Sequence, residues 1–427
     1  MMRGLLADTT PLRNPDFRRL WTSGIVTVVG GQLTVVAVPV QIYAITGNSA
    51  YVGLAGLFGL VPLVLFGLWG GALADVMDRR KLIIITTYGL IGTSVLLWLQ
   101  AASGANNVWL LLCLFSLQQV FFAVNSPTRS AIIPRLLPLK DLPAANSLNM
   151  TVMQFGAIAG PLLAGVLIPH LGFATIYLLD SIALLATLWA VIKLPALPPT
   201  GEARRVGLRV LGEGFAYLAT QKVLLASFVV DIIAMVFGMP RALFPEIAED
   251  TFGDPSGGGL ALGLLFAAMS AGAVLGGVFS GWLPRIRYQG RAVIICIALW
   301  GVAMIGFGVV VGVANPDSTP ILLWLALGFL AFGGAVDMVS AALRSTMLQQ
   351  VATDDMRGRL QGVFIVVVAG GPRIGDVLHG GAAFLFGTAV ASAGGGILVV
   401  IGVVVSMLAF PAFMRYRVGR TGRPEHV

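Results

Sequence analysis

Stretches of about 20 consecutive apolar residues recur from one end of this chain to the other, and no other feature limits its fold so strongly. A helix rising about 1.5 Å per residue needs about 20 residues to cross a hydrocarbon core of about 30 Å. Inside lipid such a helix satisfies its backbone polar groups within itself. Read with their Gly, Pro and charged punctuation, the windows fall at about 20–44, 50–74, 82–104, 107–128, 146–169, 172–195, 222–245, 258–283, 291–314, 319–343, 360–386 and 389–412. The runs are continuous rather than alternating, which excludes a porin-like barrel. The expected fold is an all-α polytopic membrane protein with twelve transmembrane helices. Composition agrees: 11% of the 427 residues are charged, against about 25% in a soluble domain. The 54 glycines suit helices that touch closely in lipid.

The cations orient these spans. If the polar segment before span one, with Arg3, Arg13, Arg18 and Arg19, is cytoplasmic, then all but Arg241 and Arg373 of the 27 lysines and arginines fall in cytoplasmic segments. These include Arg79 to Lys81, Arg285 to Arg291, the group Arg344, Arg357 and Arg359, and the tail from Arg415 to Arg423. That is the positive-inside pattern, with both termini cytoplasmic. The net charge of +8 therefore marks a membrane face and calls for no nucleic acid. Span one is too long for the core of a signal peptide and reads as a retained helix. Cys113 and Cys296 lie in apolar runs and suit buried small hydrophobes rather than a disulfide.

The longest connection divides the chain into a six-helix half at 1–195, a linker at 196–221 and a second six-helix half at 222–427. Within the linker, "GLRVLGEGFAYLA" has the spacing of a short amphipathic helix lying at the membrane interface.

Two motifs stand out. "GGALADVMDRRKLI", from Gly70 to Ile83, resembles the loop between helices two and three of the major facilitator superfamily, with Gly71, Leu73, Asp75, Arg79 and Arg80 matching and Val76 and Asp78 departing. The acidic departure resembles the enterobactin-exporter branch. The resemblance implies a conformational latch at Gly71, Asp75, Arg79 and Arg80; a charged turn that halts transfer accounts for the cations but not for Asp75. "GAIAGPLLAG" in span five resembles the antiporter motif of the same superfamily, through Gly156, Gly160, Pro161 and Gly165. Glycines four apart let helices meet backbone to backbone, and Pro161 removes one intrahelical hydrogen bond. Gly-rich span eight offers a small-faced partner. "SPTRSAIIPRLLPLKDLPAANSLN" and "LRSTMLQQVATDDMRGRLQGVF" extend the resemblance to the enterobactin-exporter and macrolide-efflux branch across nearly the whole chain. It implies two pseudo-symmetric halves, a bacterial inner membrane, a monomer and export by proton antiport.

Charges at membrane depth are expensive and are functional candidates by default. Here they are Asp180 in span six, Asp231 and Arg241 in span seven, Asp337 in span ten, and Arg373, Asp376 and His379 in span eleven. The last three share roughly one helix face, with His379 the natural proton carrier if Arg373 neutralises Asp376. Asp231 has no cation in its own segment; it either exchanges protons or pins helices through Arg241 or Arg373. Asp231 and Asp337 lie nearer the cytoplasmic side and suit a second cluster. For Asp180 a hydrogen bond to a neighbouring helix suffices. Gln32, with Thr34 and Gln41, supplies uncharged polar groups that line a cavity or bond between helices.

No phosphate-binding loop is present, so ATP is not the expected fuel. With three histidines and two cysteines, no metal site or catalytic constellation assembles, and neither an enzyme nor a cofactor is expected. The leading function is secondary active export of an amphiphilic small molecule, a siderophore or a hydrophobic drug, driven by protons across the lipid bilayer. The alternatives are a polytopic receptor or scaffold, and an uptake transporter of the same fold.

Overall fold

A computed structural model describes residues 8–198, 208–317, 320–351 and 354–417, all of whose regular elements are helical. In order these are α1 (Pro15–Thr46), α2 (Ser49–Val76), α3 (Arg79–Ala102), α4 (Val108–Leu136), α5 (Leu142–Ile192), α6 (Leu208–Thr220), α7 (Lys222–Phe237), α8 (Phe244–Glu246), α9 (Leu260–Val278), α10 (Gln289–Val313), α11 (Pro320–Val351), α12 (Asp354–Phe386), α13 (Thr388–Ala409) and α14 (Pro411–Arg415), with short 3₁₀ and π turns between some of them. Ten stretches among the described residues are long and apolar enough to cross a membrane. The longest, Leu139–Ile192, has 54 residues, a straight length of about 80 Å that no single crossing accommodates. It bends at Gly172, whose φ of 72° is open to glycine and strained for other residues. The arms 142–171 and 173–192 result.

The chain forms two compact units. One comprises Met1–Ile45 and Val61–Gly207, the other Thr46–Leu60 and Leu208–Val427, so the division runs through α2. In the first, α3 packs on α4 and α5, and Leu20, Ile83, Ile132, Val191, Leu194 and Leu197 form a buried apolar plug beside the α2–α3 turn. Polar side chains start the helices sharply. Asp78 accepts from the amides of Arg80 at 2.8 Å and Lys81 at 3.4 Å, and Asn107 caps α4 through Trp109 and Leu110. Each such cap contributes about 1 kcal/mol.

In the second unit α10 packs on α11 and α13, α9 on α11, and α7 on α12 and α13. Glycines set some of these distances: a side chain at Gly272 or Gly276 of α9 would collide with the backbone of α11 at Ala331 or Ala335. Phe244 anchors the outlying α8 edge-on against Phe266, with ring centres 5.1 Å apart. The amphipathic helix expected at the membrane interface is α6, but Leu218 on its apolar face is buried with Leu224, Phe228, Leu348 and Leu360. Phe215 of the same helix is 46% exposed. Cys113, expected to be buried, is exposed; only Cys296 is enclosed. Exposed apolar side chains such as Ile85, Trp109, Val302 and Leu408 line helix faces suited to lipid.

Candidate functional site

The ionisable residues at membrane depth gather into three clusters, two in the second unit and one in the first. In the second unit, Asp231 of α7 is 2% exposed and faces Arg344 of α11, itself 4% exposed. Arg344 Nη1 pairs with Asp231 Oδ1. Its Nη2 lies 3.6 Å from Asp337 Oδ1, and its Nε donates to the Ser340 carbonyl at 3.4 Å. Helical side chains tilt toward the N-terminus, so a long Arg reaches back to positions four and seven residues earlier. Two carboxylates thus share one guanidinium, and the Asp337 side chain keeps 27% of its surface open.

Counted along the sequence, Arg344 belongs to the basic segment after span ten. The structure corrects this: α11 continues to Val351 and carries Arg344 buried inside the bundle. Asp231 and Asp337 do form a joint cluster, but its cation is Arg344 and not Arg241 or Arg373.

The second cluster joins Arg241, in the turn after α7, to Arg373 and Asp376 of α12. Asp376 feels the positive charge of both arginines and accepts the Ala242 amide. His379, one turn further on and 4% exposed, is held by backbone oxygens. Its Nδ1 is 2.9 Å from the Gly375 carbonyl, and the ring also hydrogen-bonds to the Phe237 backbone at the end of α7.

In the first unit, Asp180 sits on the second arm of α5 and is 2% exposed. Thr34 of α1 donates to its Oδ2 at 2.9 Å and Ser94 of α3 at 3.0 Å. No Lys, Arg or His among the described residues lies within ion-pairing distance. The sequence points to Asp180 and Thr34; Ser94 is an unremarked serine in an apolar run, visible only once α3 is laid against α5. Nearby, Tyr177 donates to Gln41 Oε1 at 2.7 Å, and Gln41 Nε2 donates to Gln100 Oε1 at 3.1 Å.

The described residues of the two motifs make their contacts within the first unit. Arg79 Nη1 donates to the Ala131 carbonyl at 3.0 Å and Arg80 Nη2 to Ile192 at 2.5 Å, tying the start of α3 to α4 and α5. Asp78, where the superfamily pattern has glycine, also accepts the Leu197 amide at 3.3 Å. The side chain of Asp75 and the surroundings of Gly71 lie outside the described residues. Gly156 and Gly160 meet α1: an added Cβ would fall on Val28 at the first and on Gln32 at the second. Pro161 and Gly165 are buried in the same arm of α5. One further acid went unnoticed in the sequence: Glu246 of α8 accepts a hydrogen bond from the Ser49 hydroxyl at the start of α2.

The chain from residue 7 to 415 matches the family described as transmembrane secretion effector. It is 30% identical over 417 residues to the enterobactin exporter EntS of Shigella boydii serotype 18, covering 95% of this chain and 94% of that protein. The figures are the same for EntS of Escherichia coli O1:K1.

The chain belongs to the transmembrane secretion effector family of the major facilitator superfamily. Solved structures agree on the fold. A bacterial homolog of the human lysosomal transporter Spinster, inward-facing and unoccupied, has a TM-score of 0.70 at 15% identity, covering 96% of this chain and 97% of that one. A POT family transporter in complex with a thioalcohol-conjugated peptide has a TM-score of 0.72 at 13% identity, covering 93% and 96%. The secretion effector is therefore a multi-span membrane transporter of the export type and not an enzyme.

Proposed function

We propose that this secretion effector expels an amphiphilic small molecule, a siderophore or a hydrophobic drug, in exchange for protons by alternating access. Membership of an export family supports the direction. The observation that carries the coupling is the buried cluster in which Asp231 and Asp337 share Arg344. Charges inside a bundle are retained at a cost of several kcal/mol, and here one carboxylate is in excess. Asp231 is enclosed with the arginine, whereas Asp337 is partly open and stands at the longer distance. Asp337 is accordingly the exchanging acid, and Asp231 holds Arg344 in place.

The same reading takes the protein to the inner membrane of a bacterium as a monomer, with both termini cytoplasmic. It crosses twelve times: the Leu139–Ile192 stretch passes twice because it bends at Gly172, and α12 supplies the crossing missing from the ten apolar stretches. Asp75 with Arg79 and Arg80 acts as the latch. The arginines Arg241 and Arg373 favour an anionic catecholate over a cationic drug.

The test is purified protein in liposomes with an internal pH dye, offered a catecholate siderophore, a macrolide and tetracycline in turn. An imposed pH gradient drives at least one of them uphill with matching proton flux. Asp337→Asn keeps downhill exchange and loses the flux. Unchanged flux per folded molecule in that variant, or no movement of any probe in the wild type, overturns the reading.

A further inference from the structure

Asp180 differs from the acids of the two charge clusters in the second unit, because uncharged groups alone hold it. Its Oδ2 takes both hydroxyl bonds, from Thr34 and Ser94. Its Oδ1 is buried with no hydrogen-bond partner and points at α1 where Gly30 has no side chain, so that a Cβ there would lie 3.1 Å away. A buried carboxylate without a cation costs far more than one with it, and binding a proton removes that cost.

The surrounding bonds are built to accept either form. The Ser94 hydroxyl has a single hydrogen but two acceptors in reach, Asp180 Oδ2 at 3.0 Å and the Tyr177 carbonyl at 3.2 Å. With Asp180 ionised, Ser94 donates to the carboxylate. With Asp180 protonated, the acid donates to Ser94 Oγ, and Ser94 turns its hydrogen to the Tyr177 carbonyl. The Ser94–Asp180 bond persists in either state, the Tyr177 carbonyl keeps the Ser181 hydroxyl when Ser94 turns away, and one proton is gained or released. The groups facing Asp180 are Thr34 from α1, Ser94 from α3 and Tyr177 on its own helix, none of which competes as a charge.

A crevice of about 260 Å³ opens at the Gly172 bend, lined by Gln41, Ile45, Ala101, Asn106, Gly172 and Phe173. At about 30 Å³ per water it has room for about eight. Its polar wall, Gln41, is bonded to Tyr177, and Tyr177 lies one turn, about 4.5 Å of rise, before Asp180. The Gln41 bond goes to the Tyr177 hydroxyl and the Ser94 bond to the Tyr177 carbonyl, so the crevice approaches the acid along this residue without a continuous hydrogen-bond chain to it.

We propose that Asp180 is a second proton-binding site, in the first unit. The crevice lies at the end of the unit away from the basic α2–α3 turn, the outer end if that turn is cytoplasmic, from which protons enter during export. The role in coupling rests on the proton-antiport reading above; the binding itself does not.

Two measurements separate them. Infrared difference spectra of the purified, substrate-free protein between alkaline and acidic buffer report protonated buried carboxyls, and the band assigned to Asp180 disappears in Asp180→Asn. In liposomes the same variant loses tetracycline or catecholate movement driven by a pH gradient while keeping downhill exchange. An unchanged infrared difference overturns the site whatever the transport result. A lost band with unchanged gradient-driven transport overturns its role in coupling. If wild-type protein moves no probe, the antiport reading fails and the infrared arm still decides whether Asp180 binds a proton. Should Asp180→Asn not fold, Ser94→Ala keeps the acid and removes the switching hydroxyl: the midpoint of the band moves, and an unmoved midpoint counts against the proposal.

Discussion

The two units of this transporter handle buried acid in opposite ways. In the second, Asp231 and Asp337 meet Arg344, and Asp376 lies under the influence of Arg241 and Arg373. In the first, Asp180 has two hydroxyls and no cation. An arginine neutralises one acid, here Asp231, and binds helices together, and leaves a second acid that shares it in excess. Hydroxyls solvate an acid without fixing its charge, because they donate or accept by rotation. The second unit thus gains rigidity from the Asp231–Arg344 pair, whereas no cation in the first unit fixes the charge of its buried acid.

The comparison breaks most visibly at Arg344. Arg344→Met leaves Asp231 buried with no cation, which costs about 3–5 kcal/mol. Thermal unfolding in detergent shows the loss, and adding Asp231→Leu restores most of it. A single variant as stable as the wild type would mean that the ion pair does not hold the second unit.

Close helix packing gives the next effect. Gly272→Ala drives a methyl against the α11 backbone and costs about 1–3 kcal/mol. Gly160→Ala drives its methyl onto the Cβ of Gln32, which moves only with the α1 backbone, and costs a similar amount, about 1–3 kcal/mol. Melting temperatures of the two variants side by side check both.

A smaller effect is expected at Asp254, outside the spans, whose carboxylate accepts the amides of Ala261 at 3.2 Å and Leu262 at 2.7 Å and so caps α9. Asp254→Ala costs about 1 kcal/mol. Burial pushes this carboxyl above its usual value, against the pull of the two amides. A raised folded-state value means that this group's stabilisation is full below the unfolded value and fades as pH rises through the folded one. A melting temperature that declines slightly over the acidic range, with the slope absent in Asp254→Asn, is the expected record.

The smallest stability effect belongs to Asp180→Asn, within about 1 kcal/mol, because an amide still accepts from one hydroxyl. A large loss of melting temperature in this variant would erase the contrast between the units and make Asp180 another structural pin.

The sequence alone determined that the chain is a helical membrane transporter of this superfamily. Hydrophobic length and cation placement are local properties, set by the cost of exposing backbone and charge to lipid, and they place the spans to within a few residues in most cases. The motif glycines were equally legible, since Gly156 and Gly160 need only a neighbour close at hand. Which helix that neighbour is, α1 for the first unit's pair and α11 for Gly272 and Gly276, was decided by packing. So was the identity of every charge partner. Arg344 lies beyond the expected end of its span, and only the extension of α11 turns it inward, onto an aspartate more than a hundred residues earlier in the chain. Ser94 carries no signal of its own, because a hydroxyl becomes a ligand for a buried acid only when three helices converge on it. Hydropathy is summed along the chain, but charge compensation is settled between helix faces, and those faces meet only in the tertiary structure.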